Sequence, residues 1–402
     1  MSPPPLQRFL LSSAVLLLVI ATSAVGARAQ CPTAPDTGPE NRLNMLVLGD
    51  SILWGQGLQE PQKSWFRVKC WLQGTTGRIV DVVVKAHSGA IIERSPGPTQ
   101  SYSSPSGEVN LPLPSINEEL DEAVTSYGDV TKIDLILLNG CINDVDVRNL
   151  LNASVARNLI RERAAYSCGA AMARLLRRTT AAFPNAHVIV PGYYRIVSTE
   201  TEDNAFIRLL VKQLAGPPTS GERLNDKQRR ERLINNSEEF YTVSTRSLRE
   251  AIKQVNEELQ ARGSKQKILF ADIQFWPEHA FSAKDTLLWT FVFASTNLSG
   301  FRKLLVILTF GTSAYKPNDV MRKQRIASCK ETYKKSKGLK ETKAEKQSRE
   351  NHYLACRYAS LGHPNQMGAL IYAESIKGQL QWLIPTTGWL RQTRAAETTT
   401  PN

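Results

Sequence analysis

Histidine is scarce in this chain: five occur in 402 residues, at His87, His187, His279, His352 and His363, far apart in sequence. None of the six cysteines stands in a Cys-x-x-Cys pair, so the spacing common in protein metal sites is missing and no metal is expected. No Gly-rich phosphate-cradling motif occurs, which argues against a nucleotide or any other cofactor. The chain also lacks an unbroken apolar run of the ~20 residues that a membrane-spanning helix needs, and it shows no internal repeat. Aromatics are thin in its one strongly basic stretch. From Met321 to Glu350 eleven Lys/Arg face four Glu, with Tyr333 inside and Tyr353 just beyond. Nucleic-acid grooves interleave basic residues with stacking aromatics, so nucleic acid is set aside as a partner. Two readings of the stretch remain: a solvated helix face with Glu among the Lys, or peripheral contact with anionic surfaces through 321–350.

What is present suits export. Arg8 leads into the apolar stretch Phe9 to Ala24, and Ala27-Arg28-Ala29 offers a small-x-small cleavage site, so residues 1–29 read as a signal peptide and the product as secreted. An oxidising compartment permits disulfides among Cys31, Cys70, Cys141, Cys168, Cys329 and Cys356. Sequence alone leaves many pairings open. Cys141 with Cys168 is favoured, because one ends a strand pattern and the other opens a helical one. Cys329 with Cys356 would tie the ends of a charged insertion.

Apolar runs near residues 46, 82, 136 and 189, and again over Lys267–Ala271, alternate with helical patterns. These patterns lie around Trp65, Val68 and Trp71, at Ile116, Leu120, Ala123 and Val124, over Ala164–Phe183, and over Ser247–Arg262. Such alternation predicts an α/β fold in three layers, helix–parallel sheet–helix. The expected layout is one domain over 30–390 with insertions near 198–263 and 281–350, then a disordered polar tail at 391–402. Ser95 to Pro114, rich in Pro, Ser and Gly, reads as a loop close to the site. Leu287 to Phe310 holds two apolar runs broken by Asn297, Ser299, Gly300, Arg302 and Lys303. It reads as a hydrophobic lid for acyl chains or as an extra hairpin.

The most informative stretch is Asn44 to Leu58, NMLVLGDSILWGQGL, where an apolar strand breaks at Gly49-Asp50-Ser51. Ligands in open α/β sheets bind beyond the carboxyl ends of strands, so Ser51 stands where a nucleophile or an N-cap would. Three further segments follow in order: AHSGA at Ala86–Ala90, IDLILLNGCINDV at Ile133–Val145, and LGHPNQMGALIYAESI at Leu361–Ile376. Strand-end serine, glycine and asparagine with a late histidine together resemble the SGNH (GDSL-type) hydrolase superfamily. The third segment departs slightly, with two residues rather than one between Gly140 and Asn143. The resemblance implies a flavodoxin-like SGNH hydrolase fold and a serine esterase or lipase. It puts the nucleophile on Ser51, the base on His363, and the oxyanion hole on the Ser51 and Gly89 N–H groups and the Asn143 side chain.

The residue chemistry agrees with those roles. Acyl transfer needs a nucleophile, a base to take its proton, and donors aimed at the oxyanion. Pro364 restricts His363 to an extended backbone at a helix start. Glycine lets a backbone N–H approach a ligand closely, and an asparagine NH₂ donates without carrying charge. Asp50 and Asp144 are expected to brace their loops. One departure bears on mechanism: the aspartate that the family usually places three residues before the histidine is replaced by Ser360. Ser360 or a backbone carbonyl could orient the ring, or a remote carboxylate such as Asp272 or Glu278 could substitute. The expected function is hydrolysis of lipid or other acyl esters, with an acetyl-sugar O-deacetylase or a non-catalytic surface binder as alternatives.

Overall fold

The computed structural model describes residues 31–94, 106–111, 115–203, 207–208, 224–293, 315–335 and 340–387. The expected signal peptide, the 391–402 tail, most of the Ser95–Pro114 loop and the apolar run Leu304–Leu308 lie outside these residues. Strands β1 (Arg42–Leu48), β2 (Ile79–Val84), β3 (Ile133–Leu138), β4 (His187–Pro191) and β5 (Ile268–Ala271) form one sheet in the order β2-β1-β3-β4-β5. Every pairing in it is parallel. With this order the strand sequence reverses between β1 and β3, and their carboxyl ends border the crevice where such sheets take ligands.

Alternation along β1 shows why the sheet must be the middle layer. Leu46 and Leu48 belong to one buried cluster, while Leu43, Met45 and Val47 belong to another on the opposite face. The first face is covered by helices α3 (Ile116–Tyr127), α5 (Arg157–Ala165), α6 (Met172–Ala182) and α7 (Asp226–Ala261). The second is covered by α2 (Ser64–Thr76), through Trp65, Val68 and Leu72, and by α10 (Gln366–Thr387), through Ala373, Ile376, Leu380 and Leu383. Two single-turn helices, α1 (Ser51–Trp54) and α4 (Ile142–Val145), follow β1 and β3 directly. The three-layer α/β architecture is the one expected.

Two elements differ from expectation. Helix α7 starts at Asp226, not near Ser247, behind a capping box formed by Asn225 and Gln228. Its first half buries Asn236, Ser237, Glu239 and Ser244 beside Leu233, Phe240 and Val243, so polar residues on the inner face hide the apolar stripe. Glu239 is held there by Arg157 and Arg161. In the basic stretch the difference is confined to one residue, Arg325, since the described lysines are exposed as a solvated helix face would have them. The stretch forms α8 (Arg322–Thr332) and α9 (Lys343–Arg357), tied by Cys329–Cys356. Arg325 does not join a solvated face; it is fully buried.

Cys141–Cys168 and Cys31–Cys70 complete three disulfides. The former anchors the turn after β3 to a π-helical segment, Tyr166–Ala171, between α5 and α6. In the second insertion, β6 (Phe291–Phe293) pairs antiparallel with β7 (Tyr315–Pro317). The second strand of this pair lies beyond the Leu287–Phe310 segment, whose residues 294–310 fall outside the described residues.

Candidate active site

Three loops and one helix start converge at the carboxyl end of β1. Gly49 has φ +137°, and a Cβ there would lie 2.0 Å from Asn139 Oδ1, so only glycine makes this turn. Asp50 caps α1, accepting from the Ile52 N–H at 2.9 Å. It is fully buried, and Asn139 Nδ2 and the Tyr193 hydroxyl donate to it, each at 2.8 Å. Burial pushes its carboxyl above the ordinary value, while the Ile52, Tyr193 and Asn139 donors oppose that. Asp50 therefore braces the turn, as expected. Asn139, Tyr193 and Glu119, which accepts from the Gly49 N–H at 2.7 Å, are supports that sequence reasoning missed. Asn139 could have been suspected from its place next to Gly140; nothing in the helical pattern of α3 marks Glu119.

Ser51 opens α1, so its N–H is one of the helix-start donors without an intrahelical partner. Its Oγ lies 2.6 Å from His363 Nε2, across 312 residues of chain. His363 sits on a turn stitched to the second insertion. Its N–H donates to the Ser360 carbonyl at 3.0 Å, and the Trp289 N–H donates to the His363 carbonyl at 2.7 Å. The Tyr194 hydroxyl donates to the Gly362 carbonyl at 2.7 Å. Desolvation pushes the imidazole pKa down to about 4; the nearby carbonyls of Leu361 and Ser360 work against it, Arg325 adds to the lowering and Asp319 opposes it. Those carbonyls do not reach hydrogen-bond geometry at the ring, whose Nδ1 is buried without a partner.

The expected oxyanion donors lie on the two neighbouring turns. Gly89 has φ +86°, and a Cβ there would fall 2.2 Å from Asn110 Oδ1 and 2.5 Å from the Leu111 carbonyl. Asn143, in α4, donates one N–H to the Ala90 carbonyl at 2.8 Å, which fixes its amide plane and leaves its second N–H to another acceptor. Asp144 accepts from the Ile92 N–H at 3.1 and 3.2 Å, tying the second and third turns together. The arrangement offers a hydroxyl, an adjacent imidazole and neutral donors on separate rigid turns, which is what acyl transfer requires.

Ser360 corrects one expectation. Its hydroxyl does not reach the imidazole; it donates to Asp319 Oδ2 at 2.6 Å and accepts from Arg325 at 3.0 Å. Arg325 also bridges Asp319 at 2.7 Å and Glu108 at 2.8 Å, all three being buried. Glu108 in turn accepts from Trp54, Gln56 and the Gly57 N–H. The carboxylate nearest this turn is thus Asp319, not Asp272, which pairs with Arg249, nor Glu278 in its 3₁₀ turn. The remaining histidines stand apart from Ser51. His187 opens β4 and accepts from Lys267, His279 accepts from the Trp276 N–H, and His352 stacks on Tyr333. His87 lies one turn away, bonded through Nδ1 to the Ser88 carbonyl. Among the described residues no group of His, Cys, Asp and Glu side chains could hold a metal ion.

No protein-family model matches this chain, and no curated protein does. Solved structures do. An extracellular lipase from Streptomyces rimosus is similar at 14% identity, covering 61% of this chain and 87% of the lipase, with a TM-score of 0.34. A phospholipase A1 from Streptomyces albidoflavus is similar at 14% identity over 64% of this chain and 89% of that one, with a TM-score of 0.33. A Clostridium thermocellum family 3 carbohydrate esterase is similar at 13% identity over 58% and 81%, with a TM-score of 0.28. Likeness at this level decides nothing about chemistry, which has to be read from the side chains.

Proposed function

We propose that this chain is a secreted serine hydrolase of the SGNH type, cleaving carboxylic esters through an acyl-enzyme on Ser51. The observation that carries the reading is the 2.6 Å contact between Ser51 Oγ and His363 Nε2. His363 takes the hydroxyl proton as Oγ attacks the ester carbonyl, then returns it to the leaving alcohol; water repeats the cycle to release the acid. The tetrahedral oxyanion is received by the N–H groups of Ser51 and Gly89 and by the free N–H of Asn143. Three disulfides support an oxidising compartment, hence export, and the hydrolase domain spans 30–390. Lipid or other acyl esters are the substrate class, with acetyl-sugar esters as the variant to assay beside them.

Two measurements test this. Removing one oxyanion donor costs ~10²–10³ in turnover. Asn143→Ala is therefore expected to lower kcat for p-nitrophenyl butyrate by that amount, with KM little changed. The pH profile is the second. Only neutral His363 can accept the proton, and its folded pKa lies below the ordinary 6.5. Activity accordingly persists as pH falls through 6.5 and is lost near the folded value, about 4. No ester hydrolysis above buffer contradicts the proposal, and an acid limb at an unshifted histidine value would mean that burial does not hold His363 neutral.

A further inference from the structure

The geometry points to Asp319, contributed by the second insertion, as the positioning residue for His363, acting through Ser360 in place of an acid on the histidine's own turn. This rests on the hydrolase reading above and extends it. Ser360 opens the turn whose carbonyl receives the His363 N–H, and its hydroxyl donates to Asp319 Oδ2 at 2.6 Å. A carboxylate only accepts, so the direction of that bond is fixed. The side chain three residues before the histidine is thus held by a carboxylate entering from outside the turn.

The charges around that turn make the arrangement more than a brace. Asp319 and Glu108 are two carboxylates bridged by one guanidinium, Arg325. Every partner of Glu108 is a donor: Trp54, Gln56, the Gly57 N–H and Arg325. Burial pushes the Glu108 carboxyl up, while Arg325, Trp54 and the Gly57 N–H oppose that. When His363 takes the Ser51 proton, its ring becomes a cation with a buried Nδ1–H that lacks a partner. The charged groups that act on it are Asp319 and Arg325, with Glu108 behind Arg325. Arg325 works against the imidazolium and Asp319 favours it, so without the Asp319 charge the guanidinium would act on the ring with less opposition. The insertion is in this sense part of the site, not an ornament on it.

A charge-swap experiment separates this role from a structural one. Asp319→Asn is expected to lower kcat for p-nitrophenyl acetate about 10–100-fold with KM unchanged. That is less than the ~10⁴ for a triad acid bonded to the ring, because Asp319 holds the turn and does not bond the imidazole. Ser360→Asp alone sets two carboxylates against each other, so one must hold a proton; kcat is expected below wild type. The double variant Ser360→Asp/Asp319→Asn keeps the charge count and moves the carboxylate onto the turn; kcat is expected to recover to within about threefold of wild type. Thermal melts of each variant establish folding, and the swap reads the role even if Asp319→Asn alone is unstable. A folded Asp319→Asn as active as wild type, a double variant no faster than Asp319→Asn, or a Ser360→Asp faster than wild type would each overturn the inference. Ser51→Ala runs alongside: if it hydrolyses the ester as fast as wild type, the hydrolase reading itself fails, and this inference with it.

Discussion

Ser51→Ala is expected to lower kcat for p-nitrophenyl acetate and butyrate by about 10⁴–10⁶ while leaving KM and the melting temperature near wild type. Ser51 is buried but small, and its hydroxyl has one side-chain partner, His363, so the substitution removes the nucleophile without opening a cavity. Losses of this size follow when a serine–histidine unit is broken, the residual rate coming from the oxyanion donors and substrate binding. His363→Ala should fall by a similar factor. The double variant should fall no further, because serine and imidazole act on one proton transfer and removing either disables both. Losses that multiply in the double variant would mean that the two side chains contribute separately, and the dyad would be wrong.

Arg325 is expected to dominate a different measurement. Its guanidinium is fully buried between Asp319 and Glu108, and it also donates to Ser360. Arg325→Met keeps an unbranched apolar stem and removes the guanidinium with its charge, leaving two carboxylates in a buried site. Breaking one partner of a buried ion pair costs about 3–5 kcal/mol, since the remaining charge is uncompensated. Urea unfolding at pH 7 should show a loss of that order. The sign of the pH dependence then distinguishes the cause. Protonating a carboxylate relieves the repulsion, so the deficit relative to wild type should shrink as pH falls into the carboxyl range. A deficit that stays constant with pH would point to lost packing instead, and one under about 0.5 kcal/mol would mean that the cluster is not what holds the insertion.

Much of this was legible in the amino-acid sequence because the relevant signals are local. Apolar runs that break at Gly49-Asp50-Ser51, Gly89 and Gly140 mark strand ends, and a parallel sheet places strand ends together. His363 was singled out by the resemblance of its Gly-His-Pro block to the family's, while Pro364 and the following helical pattern mark only a helix start. What was illegible depends on side chains meeting across the fold. The first half of α7 buries Glu239 and Asn236 among Leu233, Phe240 and Val243, so the apolar stripe on its inner face is interrupted. Arg325 looks in sequence like any other residue of a lysine-rich helix, and only the approach of Glu108 and Asp319 reveals that it is an interior ion. Ser360 was visible as a departure from the usual pattern, yet its compensating carboxylate lies 41 residues upstream in an insertion. No spacing rule links the two.

The central claim is that Ser51 is a nucleophile made reactive by His363, and a fluorophosphonate probe reads it directly. Such a probe bonds irreversibly to an activated serine, and peptide mass spectrometry locates the adduct. The account predicts a single adduct on the peptide carrying Ser51 in wild type, and its loss in His363→Ala. An adduct on any other residue, or equal labelling of Ser51 with and without the imidazole, would contradict it.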